Sequence, residues 1–114
     1  NFVLAEVPKD IKRTFKFAEK DMSKPNYFVF HQANSYMNQY LQKKLKLEAD
    51  KVPASVNKFG NTSSVSIPLT IVSELKDKLA GEKELFLCGF GVGMSWASAL
   101  IKTNNCHVSD IVEI

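Results

Sequence analysis

Tyr27-Phe28-Val29-Phe30-His31-Gln32-Ala33-Asn34 is the stretch that sets the fold class. Its first four residues are apolar without a break and rich in aromatic and β-branched side chains. Such a run predicts a short strand buried on both faces, the kind a sheet has when helices cover each side. His31 then falls at the C-terminal end of the strand, where open α/β sheets gather their ligand sites. From Asn34 to Leu47 the apolar period turns helical, with Met37, Tyr40/Leu41 and Leu45 on one side. Lys43, Lys44 and Lys46 gather near the end of that helix, where cations suit the helix dipole.

Upstream, Phe2, Val3, Leu4, Val7, Ile11, Phe15 and Ala18 recur at three- and four-residue steps, a helical stripe with Pro8 as a kink or an internal restart. Downstream, Lys51 to Ser66 is irregular, with Pro53, Gly60 and a polar cluster. A further helix is predicted to start near Ser64–Ser66, with Pro68 in its first turn, Ile67, Ile71, Leu75 and Leu79 as its stripe, and Gly81 as its stop. Leu85–Cys88 and Met94–Ile101 read as two strands, and Gly91-Val92-Gly93 as the tight reversal of an antiparallel hairpin. Cys106 to Ile114 is a tail, with a further edge strand expected at Ile111–Ile114. The inventory is α/β but short of a strand before the first helix. Together with a first residue that is Asn1 rather than Met, this leads us to expect that a front portion lies outside the sequence.

The chain has 114 residues, of which 45% are hydrophobic and 24% charged, enough for one packed domain spanning 1–114 and too mixed for a disordered chain. The apolar runs fall far below the ~18 residues of a membrane span, so a soluble, cytoplasmic protein is expected, with no membrane partner. Net charge is +3, and it is uneven. Residues 1–58 hold 11 Lys/Arg against 6 Asp/Glu, and residues 59–114 hold 4 against 6. That is too little positive charge for a dedicated nucleic-acid binder, but it would suit a small acidic partner. Cys88 and Cys106 form no disulfide framework or metal-ligand spacing and read as free thiols.

Three places could carry chemistry. His31 ends a buried strand and is followed by two amides, Gln32 and Asn34, able to orient it. Gly60-Asn61-Thr62-Ser63-Ser64 reads on pattern alone as a turn with a helix cap, and the functional alternative is a turn that aims the Asn61 amide into a cleft as a donor. Cys88-Gly89-Phe90-Gly91-Val92-Gly93 is not a dinucleotide fingerprint, because Met94 stands where the third glycine belongs. A hairpin bend with backbone N–H groups reaching a site fits it better. A thiol enzyme within this chain is disfavoured. Cys106 and His107 would point to opposite faces of a strand, and Cys88 lies mid-strand, buried and inert.

Taken together the segments resemble the C-terminal half of a β-ketoacyl-acyl-carrier-protein synthase III, a thiolase-fold condensing enzyme. The residues that carry the resemblance are His31-Gln32-Ala33-Asn34, Lys51-Val52-Pro53, Gly60-Asn61-Thr62-Ser63-Ser64 and Phe90-Gly91-x-Gly93-x-x-Trp96-x-Ser98-Ala99-Leu100. They come in the family's order at close to its spacing over about Phe2 to Ile101. The resemblance implies half of a thiolase-like fold, with a mixed sheet flanked by helices and ending in an antiparallel hairpin.

It also implies a decarboxylative Claisen condensation of an acyl-CoA-derived acyl group with malonyl-acyl-carrier protein in fatty acid biosynthesis, with no metal or redox cofactor. His31 and Asn61 match the family's catalytic histidine and asparagine, donors to the malonyl thioester oxygen. Asn34, Gly89, Phe90 and Val92 match positions around the substrate, Val92 standing where glycine is usual. Lys43 and Lys44 match basic positions that meet acyl carrier protein, while Tyr36 stands where several members have arginine. The family's nucleophilic cysteine belongs to its N-terminal half, and neither cysteine here has that setting. The resemblance therefore implies an acyltransferase that is a homodimer when complete, and an isolated chain without activity. The alternatives are a related thiolase-fold enzyme of secondary metabolism or surface-polysaccharide modification, and a non-catalytic carrier-protein-binding module.

Overall fold

The computed structural model describes residues 2–91 and 95–113, leaving the side chains of Phe2 and Val3 aside. Its elements run α1 (Phe2–Phe17), β1 (Tyr27–Phe30), α2 (Ser35–Lys44), α3 (Val56–Phe59), α4 (Ser66–Glu74), β2 (Glu82–Gly91) and β3 (Ser95–Asn104), with short 3-10 turns at Ala49–Lys51 and Ser63–Val65. The strands form one mixed sheet in the order β1-β2-β3. β1 pairs parallel to β2, with Phe30 opposite Cys88, and β2 pairs antiparallel to β3, with Phe90 opposite Trp96. The segment from α2 through α4 makes the crossover that a parallel pair requires.

The unbroken apolar run of β1 is explained by what covers it. Phe28 and Phe30 face a core made with Phe86, Cys88 and Phe90 of β2, closed by Val7, Ile11 and Phe15 of α1 and by Leu41, Leu45 and Leu47. Val29 and Leu85 face the other way, onto Leu75 and Leu79, with Ile67 and Ile71 of α4 beside them. The sheet is thus sandwiched, as the sequence of β1 predicts. Phe15, Phe28 and Phe86 meet as tilted ring pairs with centroids 5.0 to 6.0 Å apart, geometry that aromatic quadrupoles favour.

The structure redraws several expected boundaries. α1 runs through Pro8 without an internal restart. Proline removes one helix hydrogen bond, but Val7, Ile11 and Phe15 are buried on one stripe, and that burial holds the helix across it. α2 stops at Lys44 rather than Leu47, because Lys46 takes φ 56° and swings Leu47 back into the core. α4 ends at Glu74, so Leu79 reaches the core from the irregular segment beyond it and Gly81 does not stop a helix. Gly81 instead closes the far end of the hairpin, exchanging hydrogen bonds with Asn105 at 2.7 and 2.9 Å.

The hairpin is antiparallel as expected. Each strand is ten residues long, longer than its apolar run, because the backbone ladder continues past the buried part. The reversal itself, Val92 to Met94, lies outside the described residues. The tail forms no strand among its described residues. It is held by Val108, packed on the cluster of Val29, Leu75, Leu79 and Leu85, and by an ion pair between Lys76 and Asp110. No helix among the described residues is long and apolar enough to cross a membrane.

Candidate active site

The parallel ladder places His31. Its backbone N–H donates to the Cys88 carbonyl at 2.9 Å, one step beyond the last paired residues of β1 and β2. The half-buried ring meets Phe90 edge-on, centroids 5.2 Å apart at 86°. Nδ1 lies 2.8 Å from the Ser66 hydroxyl at the start of α4. Burial lowers the histidine's pKa, an effect that a backbone hydrogen bond with Ser63 partly offsets. The ring is therefore neutral near pH 7.

Gln32 and Asn34 were expected to orient His31, and neither bonds to it. Asn34 caps α2, its Oδ1 accepting from the Met37 N–H at 2.9 Å. Gln32 is fully buried and turns the other way. Its Nε2 donates to the Phe30 carbonyl at 2.8 Å, and its Oε1 accepts from the N–H groups of Ser55 and Val56 at 3.0 and 3.2 Å. Ser66 orients the ring instead.

Asn61 is set by its flanks. Gly60 has φ 71° and ψ −162°, a backbone region essentially restricted to glycine. A Cβ there would meet nothing within 4 Å, so the requirement is conformational. The Asn61 Oδ1 accepts from the Ser63 N–H at 2.9 Å, the local turn by which asparagine organises its own loop. That leaves Nδ2 as the donor end. Ser63 itself is at φ 58°, uncommon for a residue with a side chain, and such strain concentrates at functional segments.

These pieces converge. His31, Asn61, Ser63, Ser66, Gly89, Phe90 and Trp96 all line one open cleft of ≈870 Å³ at the C-terminal end of β1. Gly89 and Phe90 form part of the cleft lining. Asn34 does not line the cleft, and Val92 lies outside the described residues. Lys43 and Lys44 are exposed on the last turn of α2, where they border a shallow depression of ≈380 Å³ with Tyr36, Gln39 and Tyr40. Cys88 is fully buried, and its thiol is pushed up to about 11 by that burial, with the Ser98 hydroxyl working in the other direction. It is not a thiolate near neutral pH, as its mid-strand position suggests. Cys106 is exposed in the tail, its Sγ 3.8 Å from the His107 carbonyl oxygen, and does not line the cleft.

Sequence reasoning missed Ser66, Trp96 and the buried partners Ser55 and Thr70. On α4 the apolar stripe Ile67 and Ile71 is only partly buried, while Ser66 and Thr70, one turn apart, are the fully enclosed pair. Two small hydroxyl residues at i and i+4 in an otherwise apolar helix were the available signal.

The family model for the C-terminal part of 3-oxoacyl-[acyl-carrier-protein] synthase III matches residues 16–103. The β-ketoacyl-[acyl-carrier-protein] synthase III of Streptococcus gordonii is 34% identical over 105 residues, covering 89% of this chain and 32% of that protein. That of Lactococcus lactis subsp. cremoris is 34% identical over 104 residues, with the same coverage. The crystal structure of a 3-oxoacyl-(acyl-carrier protein) synthase from Burkholderia xenovorans LB400 superposes with a TM-score of 0.90 at 45% identity, covering 96% of this chain and 32% of that one. A second 3-oxoacyl-(acyl-carrier-protein) synthase III structure gives a TM-score of 0.81 at 39% identity, covering 92% and 31%. The chain thus spans about a third of the length of the relatives it matches.

Proposed function

The chain belongs to the 3-oxoacyl-[acyl-carrier-protein] synthase III C-terminal family, and from that premise we propose that it is the C-terminal half of a decarboxylating condensing enzyme of fatty acid synthesis. In this reading His31 and Asn61 supply the two hydrogen bonds that stabilise an enolate. One observation carries it. Nδ1 of His31 is held by the Ser66 hydroxyl and Oδ1 of Asn61 by the Ser63 N–H, and both side chains line the same cleft.

The chemistry follows from that arrangement. Malonyl-acyl-carrier protein places its thioester oxygen between the two donors. The bond to the carboxylate breaks, CO2 leaves, and its electron pair moves onto that oxygen as an enolate. The enolate carbon then attacks the acyl thioester held by a cysteine of the N-terminal half. A carbon–carbon bond forms, the thiolate leaves, and the product is a β-ketoacyl thioester. A neutral imidazole donates without needing a positive charge, which suits the lowered pKa of His31. Gly89 and Phe90 form one wall of the site. The substrates bring their own coenzyme A and phosphopantetheine groups, and no other cofactor enters the scheme. The complete protein is, in this reading, a cytoplasmic homodimer.

The division of the site is tested on the chain by itself. Mixed with acyl-CoA and malonyl-acyl-carrier protein, it is expected to form no β-ketoacyl product, because Cys88 is buried and protonated and Cys106 is outside the cleft. Steady product formation would overturn the assignment of the nucleophile to another half.

Lys43 and Lys44 are the proposed docking contacts for the acidic carrier protein. In the full-length protein, changing both to Glu is expected to raise the KM for malonyl-acyl-carrier protein about tenfold and to flatten its dependence on salt. An unchanged KM at both low and high ionic strength would return these lysines to an ordinary solvated face.

A further inference from the structure

Behind His31 lies a buried polar network whose hydrogens can be assigned by elimination. Gln32, Ser55, Ser66 and Thr70 are each at most 2% exposed, and their side chains find their hydrogen-bond partners within the protein. Thr70 Oγ1 donates to the Ser66 carbonyl at 2.8 Å. In its 2.8 Å contact with Ser55, Thr70 is therefore the acceptor and Ser55 the donor. The Gln32 backbone N–H donates to Ser66 Oγ at 3.3 Å. One lone pair of that oxygen is thus engaged, and its proton has to go elsewhere. His31 Nδ1, at 2.8 Å, is its acceptor among the described residues.

We infer that Ser66 is a positioning residue that fixes His31 as the Nε2–H tautomer, so that the proton sits on the ring nitrogen that Ser66 does not hold. A neutral imidazole has one donor and one acceptor nitrogen, and whatever binds one nitrogen decides the role of the other. With the proton on Nδ1, Ser66 Oγ would receive two donors and its own buried proton would lose its partner. Ser66 starts α4, and α4 packs beneath β1 through Ile67 and Ile71. The tautomer is therefore set by how the helix docks on the sheet. The catalytic meaning of this selection rests on the proposed donor role of His31, but the selection itself does not.

The test uses the full-length protein with 15N-labelled histidine, the His31 signals being assigned by comparison with His31→Gln. Imidazole nitrogen shifts distinguish a protonated nitrogen from one with a lone pair. The unmodified protein and Ser66→Thr, which keeps the hydroxyl, are expected to hold the proton on Nε2. Ser66→Ala is expected to populate both tautomers and to lower condensation turnover about tenfold, the worth of one hydrogen bond, with Thr restoring it. The KM for malonyl-acyl-carrier protein should move less than about threefold, since the interaction acts on the reacting state. An active wild-type enzyme with the proton on Nδ1 would overturn the inference and leave the proposed function standing, as would an Ala variant that kept the Nε2–H form. The Nε2–H form in a protein with no condensing activity would uphold the inference and remove the proposed function.

Discussion

In the full-length protein, His31→Ala and Asn61→Ala are each expected to lower condensation by roughly 10²- to 10³-fold. The size follows from what a preorganised donor does. A hydrogen bond aimed at charge that develops only in the transition state is worth about 2.7–4 kcal/mol, because a donor already in place need not reorient at the moment of reaction. Both donors are held before substrate arrives, His31 by Ser66 at 2.8 Å and Asn61 by the Ser63 N–H at 2.9 Å. The loss should fall on kcat and on CO2 release from malonyl-acyl-carrier protein. Transfer of the acyl group from acyl-CoA to the cysteine of the other half should change far less. The double variant should lose less than the product of the two single losses, since both act on one oxygen. The measurement is single-turnover acylation set beside steady-state condensation and decarboxylation. If acylation fell as far as condensation while decarboxylation stayed intact, the donors would belong to the first step and the assigned roles would be wrong.

Gln32→Leu is expected to destabilise the protein by about 3–5 kcal/mol, although Gln32 touches no substrate in this scheme. Leucine keeps much of the volume and removes three hydrogen bonds at once. The N–H groups of Ser55 and Val56 lose their acceptor, and the Phe30 carbonyl loses a donor. An orphaned buried polar group costs about 1–3 kcal/mol, and Ser55 is fully enclosed. The loop before α3 should then pull away from the end of β1, taking with it the Ser55 contact to Thr70 that braces the start of α4. The midpoint of chemical denaturation reports the loss, and turnover at a temperature where the variant stays folded reports the displacement of His31. A shift below about 1 kcal/mol would mean that the loop finds water when the amide is removed, and the clamp role would be withdrawn.

Parts of this fold were legible because they depend on short-range chemistry. The strand at Tyr27–Phe30 declared itself by an apolar run that makes sense only between two layers, and those layers are α1 with α2 on one side and α4 on the other. The helix after Asn34 was readable from its period, while the role of Asn34 as its cap came only with the structure. The hairpin showed in two apolar runs separated by glycines. The errors have one cause in common. The end of α4, the return of Leu47 to the core and the length of the strands are decided by what each segment packs against, and no local pattern records that.

The candidate site divides along the same line. His31 and Asn61 are 30 positions apart, and the sequence joined them only through the resemblance of four short motifs to one family. No periodicity or spacing brings them together. Cys88 could be set aside from its mid-strand position alone, and the burial that pushes its thiol up to about 11 supplies the reason.

The amino-acid sequence by itself determined the α/β class, the buried strand that ends at His31, the glycine turn that presents Asn61 and the family to which these motifs belong. Each is a local property of residue type and order. The tertiary structure alone decided which partner holds the histidine. Gln32 and Asn34, its neighbours in sequence, point away because a strand end alternates its side chains and a helix start consumes its cap. Ser66 takes their place from 35 positions downstream, for the physical reason that α4 packs against the sheet and brings a buried hydroxyl to the ring.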